Sequence, residues 1–295
     1  MGLGSRGLSV LERIVTLAKK AGPDAVTVRI EVIDPTCSGA GVHAIDQPDY
    51  LLLNTTAAAV SMFPDAATVG SDVDEPGPSL FDWVTERGLR VAEDGFTVGT
   101  EGRLIRPTDF LPRRVLGEYL GYFLEEVLRR APEHVAVRLH RAEAVDLTSE
   151  PDGSLTVTLA GGGVVRTDYA FLTTGYTANE PATANPAAAN SRFVSEPYEL
   201  LARSAELAPG QVVAIGGFGL SAMDLMSSLT VGRGGRFIGA GNQHRYQPSG
   251  QEPTLLMYSR SGVPCRARPL VTKWDFKYEP RALTRAAIDE LRADR

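Results

Sequence analysis

The sequence predicts an α/β fold built from two strand–glycine turn–helix units in tandem, and three observations predict it. Met1-Gly2-Leu3-Gly4-Ser5-Arg6-Gly7 spells G-x-G-x-x-G and runs straight into an apolar-periodic stretch. Gln211 to Gly216 reads as a buried strand feeding Gly217-Phe218-Gly219-Leu220-Ser221-Ala222, a G-x-G-x-x-A turn with a helix behind it. Between the two, runs rich in β-branched residues alternate with helical ones. In such turns the first glycine permits the tight bend and the second lets a diphosphate approach the backbone. The third residue is small so that the helix packs close to the sheet, and the helix N-terminus faces the anion. One such motif is weak evidence; two in a chain of 295 residues are much stronger.

The elements follow in order. Leu8, Leu11, Ile14, Val15 and Leu17-Ala18 keep a helical spacing, which predicts a helix from about Ser5 to Ala21, stopped by Gly22-Pro23-Asp24. Residues 26–34 are rich in Val, Ile and Thr and read as a strand ending in Asp34-Pro35. A carboxylate at the end of the second strand is what a dinucleotide site uses to hold ribose hydroxyls; the alternative is a solvated strand-end acid. Ser38-Gly39-Ala40-Gly41-Val42-His43 is a loop able to approach a ligand closely, with His43 either a contact or a plain loop histidine. Leu51 to Phe63 is a buried apolar stretch in which Asn54 either hydrogen-bonds at a site floor or caps the next turn.

Residues 64–105 read as loops with one short helix, Ser79 to Arg87, capped by Ser79. Leu111 to Arg130 is a clear amphipathic helix. Val135–Leu139, Ala142–Leu147 and Leu155–Leu159 read as strands, the last two joined by a turn at Asp152-Gly153. Tyr169 to Gly175 reads as a short buried strand. Residues 176–191 are rich in Ala, Asn and Pro and make the linker candidate, and Pro197 to Ala205 a short helix. Past the second glycine turn and its helix, Met223–Leu229, comes a glycine-rich excursion. Its Gly232–Gly235 run is either an anion-cradling nest or a loop, and no role is assigned to His244, Arg245 or Tyr246. Thr254 to Tyr258 then forms a strand ending in Ser259-Arg260-Ser261. A final helix runs from about Arg281 to Arg292.

Composition excludes several classes. The formal net charge of −6 gives no general basic excess to neutralise nucleic-acid phosphates. No apolar run is long enough to span a membrane, and no signal peptide is read. Cys37 and Cys265 lie far apart without metal-ligand spacing, so a reducing cytoplasm is the expected compartment and no metal is expected.

The order of Gly2 to Gly7, Ile33-Asp34-Pro35, Gly39-Ala40-Gly41, Asp46-Gln47-Pro48, Leu52-Leu53-Asn54-Thr55, Pro76 to Trp83 and Arg106-Pro107-Thr108 carries a resemblance over essentially the whole length. The chain resembles bacterial FAD/NAD(P)-binding proteins related to the flavin-dependent amine N-hydroxylating monooxygenases. The resemblance implies that Gly2, Gly4, Ser5, Arg6 and Gly7 hold the FAD pyrophosphate, and Asp34 with Pro35 its adenosine ribose. Asn54 would lie near the flavin, and the strand ending at Thr174-Gly175 would close over it. The strands after the long helix would form a meander over the adenine.

In the second unit, Gly217, Gly219, Ser221 and Ala222 form the turn for a nicotinamide cofactor. Arg260 stands where NADH would need an acid; a guanidinium suits the 2′-phosphate of NADPH, with Arg233 or Arg236 sharing it, and the alternative for Arg260 is a surface arginine at a strand end. The expected organisation is therefore two Rossmann-like dinucleotide-binding domains: an FAD domain with an antiparallel meander at 1–178, a linker at 179–192 and an NADPH domain at 193–295. A first glycine motif should follow a central strand, and here only Met1 precedes it. That predicts a fold truncated at both ends, with a longer parent chain or a neighbouring molecule filling the gap beside residues 26–34.

The leading functional expectation is NADPH-dependent, FAD-dependent hydroxylation of an amine on a small amino-acid-like substrate. The alternatives are a flavoprotein reductase without oxygen insertion and a non-catalytic nucleotide-binding fragment. No catalytic base, nucleophile pair or metal cluster stands out, and the oligomeric state, a homo-oligomer included, is left open.

Overall fold

The structure is a computed structural model that describes residues 1–24, 26–64, 76–175, 206–239, 243–264, 281 and 283–293. Helix α1 (Ser5–Ala21) has the predicted bounds. Its buried stripe is Gly7, Leu8, Leu11, Val15 and Ala18, and Gly22 ends it by donating its N–H to Ala18 O at 3.1 Å. Lys19 and Lys20 in the last turn face the negative end of the helix dipole. Strand β1 (Val28–Ile33) pairs in parallel with β5 (Val135–His140), in register from Val28↔Val135 to Ile33↔His140.

A parallel pair needs a long crossover. Here it contains helix α2 (Leu80–Glu86), a small sheet and helix α3 (Arg113–Arg130), which packs on α1. Leu8, Leu11, Val15, Val32, Leu120, Phe123 and Val135 form one core between the two helices and the strands. Burying a side chain of this size is worth about 1.5–3 kcal/mol, so this sandwich fixes where α1 begins relative to β1. A second core gathers Trp83, Val91, Val98, Leu111, Val115 and Tyr119. Tyr119 is fully enclosed but satisfied: its hydroxyl donates to Pro78 O at 2.7 Å and accepts from Met62 N–H at 3.0 Å.

The structure departs from the sequence reading in several places. Residues 90–104, read as loops, hold β2 (Arg90–Val91), β3 (Val98–Gly99) and β4 (Arg103–Leu104) in the antiparallel order β3-β2-β4. Two-residue strands are too short to show alternation. The stretch around Ala57 forms a single 3-10 turn, Ala57–Ala59.

The meander is β6 (Ala144–Ser149), β7 (Leu155–Leu159) and β8 (Val164–Thr167) in the order β6-β7-β8. Its first hairpin turns at Asp152-Gly153 as expected, with Gly153 N–H bonded to Glu150 O at 3.0 Å. Strand β5 leaves the meander for β1, and β8 was not foreseen.

Tyr169 to Gly175 is not a buried strand. Tyr169 is 81% and Leu172 63% exposed. The segment is extended, and its bonds run to the chain start: Met1 N donates to Phe171 O at 2.8 Å and Thr173 N to Met1 O at 2.9 Å. A partner that short cannot complete a ladder.

In the second half, β9 (Val212–Gly216) pairs in parallel with β12 (Thr254–Tyr258) across helix α4 (Leu220–Leu229) and a hairpin of β10 (Arg236–Ile238) and β11 (Arg245–Gln247). Ile215, Ala222 and Leu225 make its small core. Helix α5 (Arg285–Ala293) closes the described chain, starting later than expected. The linker at 179–192, the helix at 197–205 and Cys265 lie outside the described residues. No described helix is long and apolar enough to cross a membrane.

Candidate functional site

The first glycine turn is held from both sides. Gly2 sits at φ +89°, and its N–H donates to Ile33 O at 2.9 Å. A Cβ on Gly7 would lie 2.2 Å from Gly2 O, so the first turn of α1 rests directly on the bend before it. Gly4 caps α1 in extended conformation, with no side-chain cap and no acid in the first turn. The contrast with α2 is sharp: there Ser79 and Asp82 form a complete capping box. A helix start without such a box leaves its first N–H groups directed outward as an anion cradle.

The second glycine loop lies across the first. A Cβ on Gly41 would come within 2.9 Å of Gly4 Cα. That loop in turn rests on glycines of α3: a Cβ on Gly117 would stand 1.8 Å from His43 O. The sequence reading assigned no role to Gly117, although a glycine inside an otherwise strong helix is a sign of close backbone approach.

Asp34 ties the strand end to this turn. One carboxylate oxygen accepts from Leu3 N–H at 2.9 Å. The other accepts from Thr36 N–H, the Thr36 hydroxyl and Cys37 N–H at 2.9, 2.9 and 2.8 Å. Burial pushes its pKa up, but these four hydrogen bonds outweigh burial and hold it below the ordinary 3.8. A depressed carboxyl contributes stability that is complete above the unfolded value and is lost as pH falls through the folded one. Acid unfolding below about pH 3.8 should therefore flatten in Asp34→Asn, which keeps one acceptor but cannot titrate. Tm measured from pH 2 to 5 checks this; parallel curves for the two proteins would refute it.

Of the other expected residues, Ser5, Arg6 and Pro35 are exposed around this turn. Thr174 abuts it, since a Cβ on Gly2 would stand 3.0 Å from Thr174 Cα, and Gly175 follows at φ +76°. Asn54 is exposed on a different loop, with Thr55 donating to it at 3.3 Å. The nearby His43 is half-buried, its Nδ1 has no partner among the described residues, and burial and then Arg113 depress its pKa.

The second turn repeats the first. Gly217, at φ +108°, donates to Tyr258 O at 2.7 Å, and Gly219 caps α4 without a side-chain bond. Ala222 is buried against the strand, and Ser221 is half-buried beside it. Since Tyr258 pairs with Gly216, Arg260 lies two residues beyond the same carboxyl edge, exposed, where open α/β sheets bind ligands.

The two other arginines are committed elsewhere: Arg233 donates to Leu207 O at 2.7 Å and Arg236 to Gln247 at 3.0 Å. The Gly232–Gly235 run is a closed turn, not a nest, because Gly234 and Gly235 give their N–H groups to Val231 O and Thr230 O. Tyr246 gains a role. Its hydroxyl donates to Glu252 at 2.7 Å, and burial together with that carboxylate pushes its pKa up to about 12.

An ion pair joins the two halves, and sequence reasoning missed it. Arg113, at the start of α3, pairs with Asp224 of α4 through two bonds at 2.7 and 3.0 Å, with the side chains 13% and 9% exposed. Arg113 Nε also donates to Leu52 O at 3.1 Å, and Tyr50 OH reaches Ser228 at 3.5 Å. The available signal was Asp224 itself, a lone acid in an apolar helix. Among the described residues, no cluster of three His, Cys, Asp or Glu side chains forms a metal site.

A family model described as FAD-NAD(P)-binding matches residues 1–177. The chain is similar to a nitrosuccinic acid synthase of Aspergillus oryzae, 33% identical over 99% of this chain and 44% of that protein. It is also similar to L-aspartate N-monooxygenases (nitrosuccinate-forming) of Streptomyces davaonensis and Streptomyces cremeus. These are 36% and 37% identical, over 100% and 99% of this chain and 48% and 46% of those proteins. The chain thus spans about half the length of the curated relatives it matches.

Proposed function

The chain belongs to the FAD-NAD(P)-binding family, and from that membership we propose that it serves an NADPH-dependent flavin monooxygenase that hydroxylates the amine of aspartate or a close amino-acid relative. The observation that carries this reading is the pair of open helix starts, each behind a glycine turn at the end of a strand. They lie in a chain alike along its whole length to aspartate N-monooxygenases.

We divide the chain into an FAD-binding unit at 1–178, a linker at 179–192 and an NAD(P)H-binding unit at 193–295, each Rossmann-like around its parallel pair. Gly2, Gly4, Ser5, Arg6 and Gly7 would take the FAD pyrophosphate. The open N-terminus of α1 and the close approach of Gly41 to Gly4 fit a flat diphosphate against backbone. Asp34, held ionised by its hydrogen bonds and with Pro35 beside it, would accept ribose hydroxyls, while Thr174 and Gly175 close the rim. Asn54 is kept at the flavin end of the site.

Gly217, Gly219, Ser221 and Ala222 would hold the nicotinamide cofactor's pyrophosphate and Arg260 its 2′-phosphate. When bound, the flavin supplies the electron relay from a nicotinamide hydride to oxygen. The protein's own part is to fix both diphosphates, and the Arg113–Asp224 pair joins the two units that do so.

The test is spectroscopic first. Protein reconstituted with FAD should show the oxidised flavin spectrum, bleach with NADPH without oxygen, and with oxygen and L-aspartate yield N-oxygenated product. Peroxide alone would favour a reductase, and no flavin uptake would end the reading.

Arg260 gives the cofactor its own check. Loss of one charge-assisted hydrogen bond, roughly 1.5–3 kcal/mol, predicts that Arg260→Ala raises KM for NADPH about ten- to a hundredfold and leaves KM for NADH nearly unchanged. Equal changes for both would remove Arg260 from the site.

A further inference from the structure

Two polar atoms in the loop beside the first glycine turn are buried and unused. His43 Nδ1 and Gln47 Oε1 have almost no accessible surface and no hydrogen-bond partner among the described residues. A donor or acceptor buried this way loses its hydration with nothing in return. Both residues are held in place. His43 N–H donates to Ala40 O at 3.0 Å, and a Cβ on Gly117 of α3 would stand 1.8 Å from His43 O. Gln47 N–H donates to Ala44 O at 3.2 Å. Its side-chain amide donates to Val42 O at 2.9 Å, which uses Nε2 and leaves Oε1 as an acceptor.

The two atoms make a donor beside an acceptor. Burial, then the Arg113 charge, pulls the His43 pKa below its ordinary 6.5, which favours the neutral ring. A neutral ring with its proton on Nδ1 donates from there, while an amide oxygen accepts. On the same loop, Val42 is 73% and Ile45 63% exposed. The matching ligand carries a carbonyl next to an N–H on one edge of an apolar body.

Position narrows the choice further. Gly41, two residues before His43, lies against Gly4, where the diphosphate is placed in the proposed function. Arg113, the charge that acts on His43, pairs with Asp224 in the helix behind the second glycine turn. The half of an FAD that must meet the nicotinamide held there is its flavin.

We propose that His43 and Gln47 bind the imide edge of the flavin ring, His43 Nδ1–H to a ring carbonyl and Gln47 Oε1 to the neighbouring ring N–H, with Val42 and Ile45 against the ring's apolar part. This inference rests on the proposed function and adds two residues to it. Both atoms are covered in the structure, but Val42, Ala44, Ile45 and Asp46 between and beside them are exposed, so a local turn of segment 42–47 brings the pair to the ring.

The experiment compares two nucleotides on the full chain. FAD carries the flavin, and ADP carries the adenosine and diphosphate alone. His43→Ala and Gln47→Ala should each weaken FAD roughly three- to tenfold, the range of one hydrogen bond, and leave ADP unchanged. His43→Asn, whose amide reaches the place of Nδ1, should bind FAD nearly as the parent does. FAD methylated on the ring N–H should bind the parent more weakly than FAD, and Gln47→Ala no more weakly. Flavin fluorescence follows FAD and calorimetry follows ADP. Where the parent takes up both nucleotides, FAD affinity unmoved by either alanine variant, or FAD and ADP weakened together, would overturn this assignment and leave the proposed function standing. A parent that takes up neither would bring down both.

Discussion

Protein carrying Gly7→Val should emerge without flavin under conditions in which the parent takes up FAD, and should melt well below it. The cause is geometric. The added Cβ would sit 2.2 Å from Gly2 O and 3.1 Å from Gly2 C, both backbone atoms that no rotamer change can move. Either α1 shifts off the sheet or the Gly2 bend opens, and each displaces the N–H groups proposed to hold the diphosphate. Overpacking of this kind costs about 1–3 kcal/mol or more.

Two controls separate the local effect from general damage. Gly4→Ala meets only Gly41 Cα at 3.5 Å, an ordinary contact, so its fold should persist while its ligand face narrows. Gly99→Ala meets nothing within 4 Å and should alter neither property. Flavin absorbance and thermal melting on the three proteins decide the matter. Full flavin retention in Gly7→Val would show that the diphosphate does not lie on this turn.

The parts of this site that the sequence exposed are those encoded locally. Helix α1 could be bounded because its apolar spacing ends at Gly22, and the second unit because its strand, glycines and helix are contiguous. Asp34 was visible as an acid closing a β-branched run, yet its bond to Leu3 N–H was not, because that contact bridges 31 residues.

What stayed hidden depends on long-range pairing. Val164–Thr167 is too short to announce itself as a strand and exists through its ladder to β7. Tyr169 to Gly175 misled for the converse reason. Its composition is that of a buried strand, but among the described residues its backbone bonds on one side run to Met1. Glycines 117 and 121 in α3 have meaning only once the loop at 38–43 is seen resting on them.

The Arg113–Asp224 pair leads to the second large effect. Arg113→Ala should lower stability by about 3–5 kcal/mol, the usual cost of leaving one partner of a buried ion pair uncompensated. The Asp224 side chain is 9% exposed, so water cannot replace the two guanidinium bonds at 2.7 and 3.0 Å. The same change frees Leu52 O from its bond to Arg113 Nε at 3.1 Å. Arg113→Met with Asp224→Leu should recover most of the loss, because a matched apolar pair removes both desolvation costs together. Urea midpoints for the single and double variants give the coupling directly.

The double variant also isolates position from stability. Helix α4 starts at the second glycine turn, and Leu52 belongs to the proposed FAD-binding unit, so on that reading the ion pair would set how one turn is aimed at the other. A protein with stability restored but the pair gone should therefore bind FAD normally and still be reduced by NADPH more slowly. If stability and reduction rate recover together, the pair only packs the junction. If Arg113→Ala lowers the unfolding free energy by less than about 1 kcal/mol, the range of exposed pairs, the two units are not joined through it.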